Sequence, residues 1–431
     1  MELAIIGLLF LGTLLVLYGL GVPVAVAMGV TVVTVMASPY GPSFNYTLIS
    51  NQLLFGLNSF TLLAIPFYLL LGRLMNRSGF TEDIFEFANS VVGSVRGGIG
   101  YVNVLASLIF SGMSGLALAD AAGLGRVEYS VMREYDYDKD VALGITGGSA
   151  IIGPIIPPSV PIIIYGVLAG ESINALFLAG IIPGFLLAVT LLLSVAIVTR
   201  IRGYGATGTF DPRRVLETLG TAAIALVIPV LIIGGILSGV FTATEAGAIT
   251  VVYITVTGLV FGDLTLSKIV AETRDAAVET FSLTFIIAIA AAYGLVALEL
   301  RLPMMLVDAI TGVTTDPTYM LLLLVALFLV VGTFMETVAA ITVLVPVLVP
   351  VIDIAGIDPI HFGIVMVLTL MIGLLTPPLG IILFVLEQVT DASLEEVMRA
   401  IVPYYIPLLV VLLIIIFVPE TATYIPYEHL G

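Results

Sequence analysis

Four prolines, Pro154, Pro157, Pro158 and Pro161, interrupt an apolar run that reads GGSAIIGPIIPPSVPIIIYG over 147–166. Each lacks an amide proton and clashes with the preceding turn, so no straight helix passes through them. Inside hydrocarbon an orphaned carbonyl costs several kcal/mol unless something else satisfies it. A small hard cation does so, because it takes several oxygen ligands, and unwound carbonyls plus hydroxyls supply them without a buried charge. The segment MIGLLTPPLGIILF at 371–384 has the same break, with Thr376 inside it. A single break would read as a proline kink packed on its neighbours. Two matched breaks read as a binding centre.

Two further strings suit such a centre: SGMSGLALADAAG at 111–123 and GTFMETVAAIT at 332–342. Their small residues permit close approach, and Ser111, Ser114 and Thr333 offer side-chain oxygen as well as carbonyls. The N-terminal ends of the half-helices there carry partial positive charge suited to an anion. The competing reading is a tight helix–helix contact. Asp120, Glu245 and Glu336 lie within apolar sequence. A carboxylate at the bilayer centre costs about 2.5–3.5 kcal/mol, so each needs a partner, a water cavity or a proton. Functional and structural roles are both open for them. Asp308, His361 and Arg301 are expected to be solvated or interfacial.

The elements that position these residues follow from composition. Sixty per cent of the 431 residues are hydrophobic and 10% charged, against about 25% charged in a soluble domain. That leaves too little polar surface for a globule in water, so the solvent is lipid. Only helices and closed barrels satisfy their backbone there, and the continuous apolar runs exclude a barrel. With no cysteine, disulfides and thiolate metal sites are excluded, and a net charge of −16 argues against nucleic acid. The opening segment lacks a basic n-region and a small-residue cleavage site, and reads as a retained span.

Spans of about 20 apolar residues fall at 2–20, 22–38, 60–76, 173–198, 218–238, 240–261, 278–298 and 402–418, with broken spans at 141–169 and 360–386. Stretches 99–134 and 317–352 are broken near their middles by the glycine-rich strings. Each is either a pair of full spans or a re-entrant hairpin. Stretches 44–58 and 264–277 precede equivalent spans and read as interfacial helices or as loops. With the N-terminus outside, thirteen of the fourteen Lys and Arg face the cytoplasm and only Arg301 does not, as the positive-inside rule requires. The charges fix orientation without deciding re-entrance.

At an offset of 220, Gly112 falls on Gly332, Gly153 on Gly373, Pro157 on Pro377, Pro158 on Pro378 and Ser149 on Thr369. Five spans per half is odd, so the halves are inverted repeats, 1–199 and 218–419, joined by a cytoplasmic linker at 200–217 and followed by a periplasmic tail at 420–431. The fold class is all-α polytopic membrane protein, with both termini outside. Inverted repeats are a recurrent plan for secondary transporters, with the site at midplane.

At the strings SGMSGLALADAAGLG, ITGGSAIIGPIIPPSVPIIIYG, GTFMETVAAITVLVPVLVPV and GIDPIHFGIVMVLTLMIGLLTPPLGIILFV, the chain resembles the large membrane subunit of tripartite ATP-independent periplasmic (TRAP) transporters. The resemblance runs over nearly the whole chain. It implies an inner-membrane elevator, in which two hairpins and two broken helices move against a scaffold braced by a small four-helix membrane subunit. A soluble periplasmic binding protein would deliver a small organic anion, such as a C4-dicarboxylate or a sugar acid. No cofactor is implied beyond Na+ as coupling ion. One sodium site would use Ser111 and Ser114 of the first tip with Gly148, Ser149, Gly153 and Pro154. The other would use Gly332, Thr333 and Glu336 with Gly373 and Thr376. Substrate would lie between the tips, by Gly112 and Gly115 and the pairs Pro157–Pro158 and Pro377–Pro378. Met113 replaces a small polar residue common in the first tip, and Thr369 stands where asparagine is frequent.

Moving one charge inward gains about 2.3 kcal/mol per 100 mV, to which a sodium gradient adds. No GxxxxGK[ST] nucleotide loop occurs. A channel would need a continuous polar pore rather than two closed breaks. An intramembrane enzyme would need a Ser/His pair or metal cluster, which the two histidines, His361 and His429, near the outer side do not provide. A self-sufficient sodium symporter for divalent anions, working without a binding protein, shares the fold and is the principal alternative.

Overall fold

The computed structural model describes residues 2–38, 46–206 and 209–430, which are helical or connecting throughout. Among them seven helices are long and apolar enough to cross a bilayer, eight if one bent pair counts as a span. The chain is a multi-pass membrane protein. Its outer surface agrees, since Val189, Leu193 and Ile197 of helix Ile173–Arg202 and Phe281 and Phe285 of helix Leu266–Glu299 are exposed. In lipid such side chains incur no hydrophobic penalty, so packing and backbone satisfaction hold the bundle together.

Helices Glu2–Gly19 and Val24–Ala37 pack as a pair. Thr47–Leu57 then meets Phe60–Arg77 at a bend of 51°, made where Ser59 adopts an extended conformation (φ −132°, ψ 126°). Stretch 44–58, expected as an interfacial helix or a loop, is helical from Tyr46 to Leu57, while residues 44 and 45 lie outside the described residues. Its counterpart is different. Stretch 264–277 is no separate element, because Leu266–Glu299 is one helix of 34 residues, about 50 Å at 1.5 Å per residue. Thr265 caps it by accepting from the Lys268 amide at 3.3 Å, and no proline or glycine occurs before Gly294.

The linker expected at 200–217 is shorter. Helix Ile173–Arg202 runs into it until Gly203 (φ 80°), and helix Pro212–Pro229 starts inside it, with Asp211 as cap and proline at the first position. Residues 207 and 208 of the linker lie outside the described residues. The tail is helical as well: Glu420–Leu430 packs along Ile173–Arg202, and Tyr427 donates to the Asp358 carboxylate. Residue 431 lies outside the described residues. Helices Phe80–Val92 and Leu302–Thr311 fall in stretches without an expected span.

Both proline-rich segments are broken. Helix Lys139–Ser149 stops before 150–159 and resumes as Val160–Ala169. Helix Pro359–Leu374 stops before 375–380 and resumes as Ile381–Val389. The two glycine-rich strings form tight connections between helices. Gly98–Ser114 leads through Gly115 and Leu116 to Ala117–Ala122 and Leu124–Glu134. Pro317–Phe334 leads through Met335 and Glu336 to Thr337–Ala355.

Candidate functional site

Each tip ends against the middle of a broken helix. In the first pair, the Gly115 carbonyl accepts from the Val160 amide at 3.4 Å. Gly115 has φ 68°, a left-handed conformation that favours glycine, and a Cβ there would strike the Pro158 carbonyl. In the second pair, the Thr333 carbonyl accepts from the Gly380 amide at 3.1 Å. In both cases a tip carbonyl serves the first free amide of the outgoing half-helix, one of the orphan donors of a helix start. The Pro157–Pro158 and Pro377–Pro378 bonds are both cis.

Polar side chains organise the first centre. Ser149 Oγ donates to Asn103 Oδ1 at 2.9 Å, and Asn103 Nδ2 donates to Thr146 Oγ1 at 2.8 Å. The fully buried Asn103 thus ties the helix leading to the tip to the helix leading to the break. Ser159 Oγ donates to the Pro154 carbonyl at 2.5 Å and accepts from the Ile162 amide at 3.3 Å, so one hydroxyl satisfies a proline-freed carbonyl and caps the next half-helix. Ser111 Oγ donates to the Leu108 carbonyl at 2.6 Å, and Ser114 is buried. Gly153 leaves room for Asp120, since a Cβ there would run into that carboxylate. Asp120 is buried and its Oδ1 has no hydrogen-bond partner among the described residues. Gly112 lies against Pro229 of helix Pro212–Pro229, and Gly148 against Leu191 and Tyr404.

Main chain meets main chain in the second centre. A Cβ on Gly332 would come within 2.8 Å of the Leu370 carbonyl, and one on Gly373 within 2.6 Å of the Gly332 Cα. Thr376 Oγ1 donates to the Ile372 carbonyl at 2.8 Å, and Thr333 Oγ1 to that of Val330 at 2.8 Å. Glu336 caps helix Thr337–Ala355 by accepting from the Ala339 amide at 3.1 Å. Tyr405 donates to the Leu375 carbonyl at 2.6 Å. The buried Thr369 donates to the Val365 carbonyl at 2.6 Å.

A cavity of about 300 Å³ separates the tips. Leu116, Ala117, Ala119, Val160 and Pro161 form one wall, Glu336, Val338, Met371 and Leu374 another, with Glu279 and Leu283 at the side. Gly112, Gly115 and the two proline pairs are not among its lining residues, although Leu116, next after Gly115, and Val160, two past Pro158, are. Pro157 and Pro158 are buried within their break.

Other carboxylates resolve differently. Glu245 forms a capping box with Thr242 and is exposed, which is a structural role. His361 is not solvated: it is buried, with Nε2 at 2.8 Å from the Ile415 carbonyl, because helix Tyr405–Phe417 covers it. Asn103, Thr146, Ser159 and Glu279 were not singled out by the sequence. Asn103 carries a signal, a lone amide in the apolar run YVNVLASLIF, and Ser159 another, a cap residue two positions before a proline. Among the described residues no group of three or more His, Asp or Glu could hold a metal. The oxygen offered at the two centres is carbonyl and hydroxyl, joined by Asp120 and Glu336.

Comparison with known proteins agrees with this geometry. Residues 11–421 match the family described as tripartite ATP-independent periplasmic transporter, DctM component. The chain is 43% identical over 383 residues to the sialic acid TRAP transporter large permease protein SiaM of Vibrio cholerae, covering 89% of this chain and 90% of that one. It is 36% identical over 368 residues to the C4-dicarboxylate TRAP transporter large permease protein DctM of Pseudomonas aeruginosa, covering 85% and 86%. Among solved structures, the Alcanivorax borkumensis YdaH transporter superposes with a TM-score of 0.62 at 15% identity, covering 90% of this chain and 91% of that one, a likeness of fold alone. The chain belongs to the DctM family of TRAP transporter large permeases and is a transport protein rather than an enzyme.

Proposed function

We propose that this permease takes up a small organic anion coupled to sodium, by elevator movement of a unit made of the two tips and two broken helices. The observation that carries the proposal is that both tips hydrogen-bond into the breaks around one cavity. The halves 1–199 and 218–419 then act as inverted repeats, the glycine-rich strings as tips of re-entrant hairpins, and both termini face the periplasm. One sodium ion sits with Ser111, Ser114, Gly148, Ser149, Gly153 and Pro154, the other with Gly332, Thr333, Glu336, Gly373 and Thr376. The donor set fits a small hard cation, and the buried Asp120, whose Oδ2 faces Gly153 and whose Oδ1 has no hydrogen-bond partner among the described residues, is the acidic group such a cation would balance. Bound sodium supplies the positive charge that brings an anion between the tips.

The partners are a small four-helix membrane subunit and a soluble periplasmic binding protein. Sialic acid is the first substrate to test, since the 43% identical relative is named for it, followed by C4-dicarboxylates. The chain, reconstituted with both partners, should accumulate one of these anions under an inward sodium gradient. Accumulation that persists without sodium would refute the coupling. Accumulation that persists without the binding protein would establish a self-sufficient symporter instead.

A further inference from the structure

An organic anion in the cavity between the tips meets two carboxylates, Glu336 and Glu279, and, among the described residues, no Lys or Arg in the wall. Repulsion in so confined a space is strong, and sodium at the second centre answers only the charge of Glu336. Glu279 has its own cation. Arg73 Nη2 and Nε donate to Glu279 Oε2 at 2.8 and 3.3 Å, while Arg73 Nη1 stands 3.6 Å from Glu272. Glu272 is nearly buried and also holds Arg77 at 2.7 Å. Arg73 and Glu279 are each 34% exposed. The arginine is thus anchored by a buried carboxylate on one side and joined on the other to a carboxylate that water reaches.

The geometry points to Arg73 as the counter-ion of the transported anion on the membrane side that carries the basic residues, with Glu279 as the internal anion that the substrate displaces. The assignment rests on the proposed function. An arginine fork matches a carboxylate with two parallel hydrogen bonds. A half-exposed ion pair is worth little, so exchanging its anion costs little. Glu272 keeps the guanidinium in place while Glu279 turns to solvent. Arg73 and Glu279 belong to helices Ala64–Arg77 and Leu266–Glu299, neither of which contributes to a tip or a break. Substrate therefore reaches Arg73 only while the tips stand beside these helices, as they do here. When Glu279 returns to Arg73 it expels the anion, which makes the pair a release device.

The test uses the complete three-part transporter in vesicles, with sialic acid, succinate and isethionate as probes. For whichever anion the wild type carries, the apparent KM is measured from the inner face by efflux and from the outer face by uptake. R73Q should raise the inner-face KM about tenfold, the weight of one charge-assisted hydrogen bond. E279Q should lower it several-fold and slow net uptake, because Arg73 no longer has a competing anion. The outer-face sodium dependence should not move in either variant. Both variants delete the same ion pair, so a merely structural pair would shift both in one direction, and that result overturns the assignment. If R73Q does not fold, E279Q decides alone, since a gain in inner-face affinity has no structural explanation and its absence overturns the role. Wild-type transport of none of the probes would instead refute the proposed function.

Discussion

The two breaks share a Pro-Pro pair and a tip-to-helix hydrogen bond, yet they are held open by different means. The first spans 150–159 and is buried throughout. Side chains support it: Asn103 between Ser149 and Thr146, and Ser159 on the Pro154 carbonyl. The second spans 375–380 and leaves Pro377, Pro378 and Leu379 exposed. It relies on glycine-to-glycine contact and on Tyr405. The offset of 220 puts the exposed Leu323 where the first half has Asn103, so the amide network has no counterpart. A break sealed from water must find each polar partner inside the protein, whereas an open one shares that task with solvent. One local signal thus yields an occluded centre and an accessible one.

The largest effect expected from this contrast is chemical. The chain has no cysteine, so single-cysteine variants report without background. Leu379→Cys, at a position 43% exposed, should react with a membrane-impermeant maleimide, and Ile155→Cys, at 0%, should not. Equal labelling at the two positions would erase the distinction. Next comes sterics. Gly373→Val places a branched side chain where even a Cβ lies 2.6 Å from the Gly332 Cα. Overpacking costs about 1–3 kcal/mol or more, so uptake should disappear and the melting temperature should fall. Wild-type melting and transport would mean that the glycine contact is dispensable.

Asn103→Leu should act on the first centre alone. It takes the donor from the Thr146 hydroxyl and leaves the Ser149 hydroxyl only the Thr146 carbonyl at 3.1 Å, at about 1–3 kcal/mol in a buried site, and should weaken the sodium dependence of uptake. Leu323→Asn, at the matching position, should leave that dependence unchanged. Smallest are two hydroxyl deletions, at about 1 kcal/mol for each hydrogen bond lost. Ser159→Ala should destabilise more than Tyr405→Phe, because Ser159 makes two hydrogen bonds in a buried site, one of them a helix cap, whereas the second break is partly exposed. Thermal melting of the two variants side by side would reveal the reverse order if the sealed-versus-open distinction were wrong.

Much of the centre was legible because proline and glycine act on their own backbone. Pro157, Pro158, Pro377 and Pro378 break their helices whatever surrounds them, and Gly115 and Gly332 let a chain approach closely whatever it approaches. The tips and the breaks came from such residues, while a substrate space between them was implied by the family resemblance. The cavity wall did not, because which side chain faces a space depends on how two distant segments dock. Leu116 and Ala117 line it rather than the neighbouring Gly115. His361 was expected to be solvated or interfacial, and its burial comes from Tyr405–Phe417, a helix some forty residues later in the chain. The 34-residue helix Leu266–Glu299 joined what polarity had divided, since polar residues at its start do not stop a helix that lacks a breaker.

The sequence by itself determined that the solvent is lipid and where helices cannot continue. Each of these depends on a residue's own chemistry or on its immediate neighbours. Tertiary structure alone decided that Asn103 reaches Ser149, that Arg73 reaches Glu279, and that one break is sealed while its counterpart is open. Those pairings span tens to hundreds of residues in the chain, and only packing brings the partners to within hydrogen-bond distance of each other.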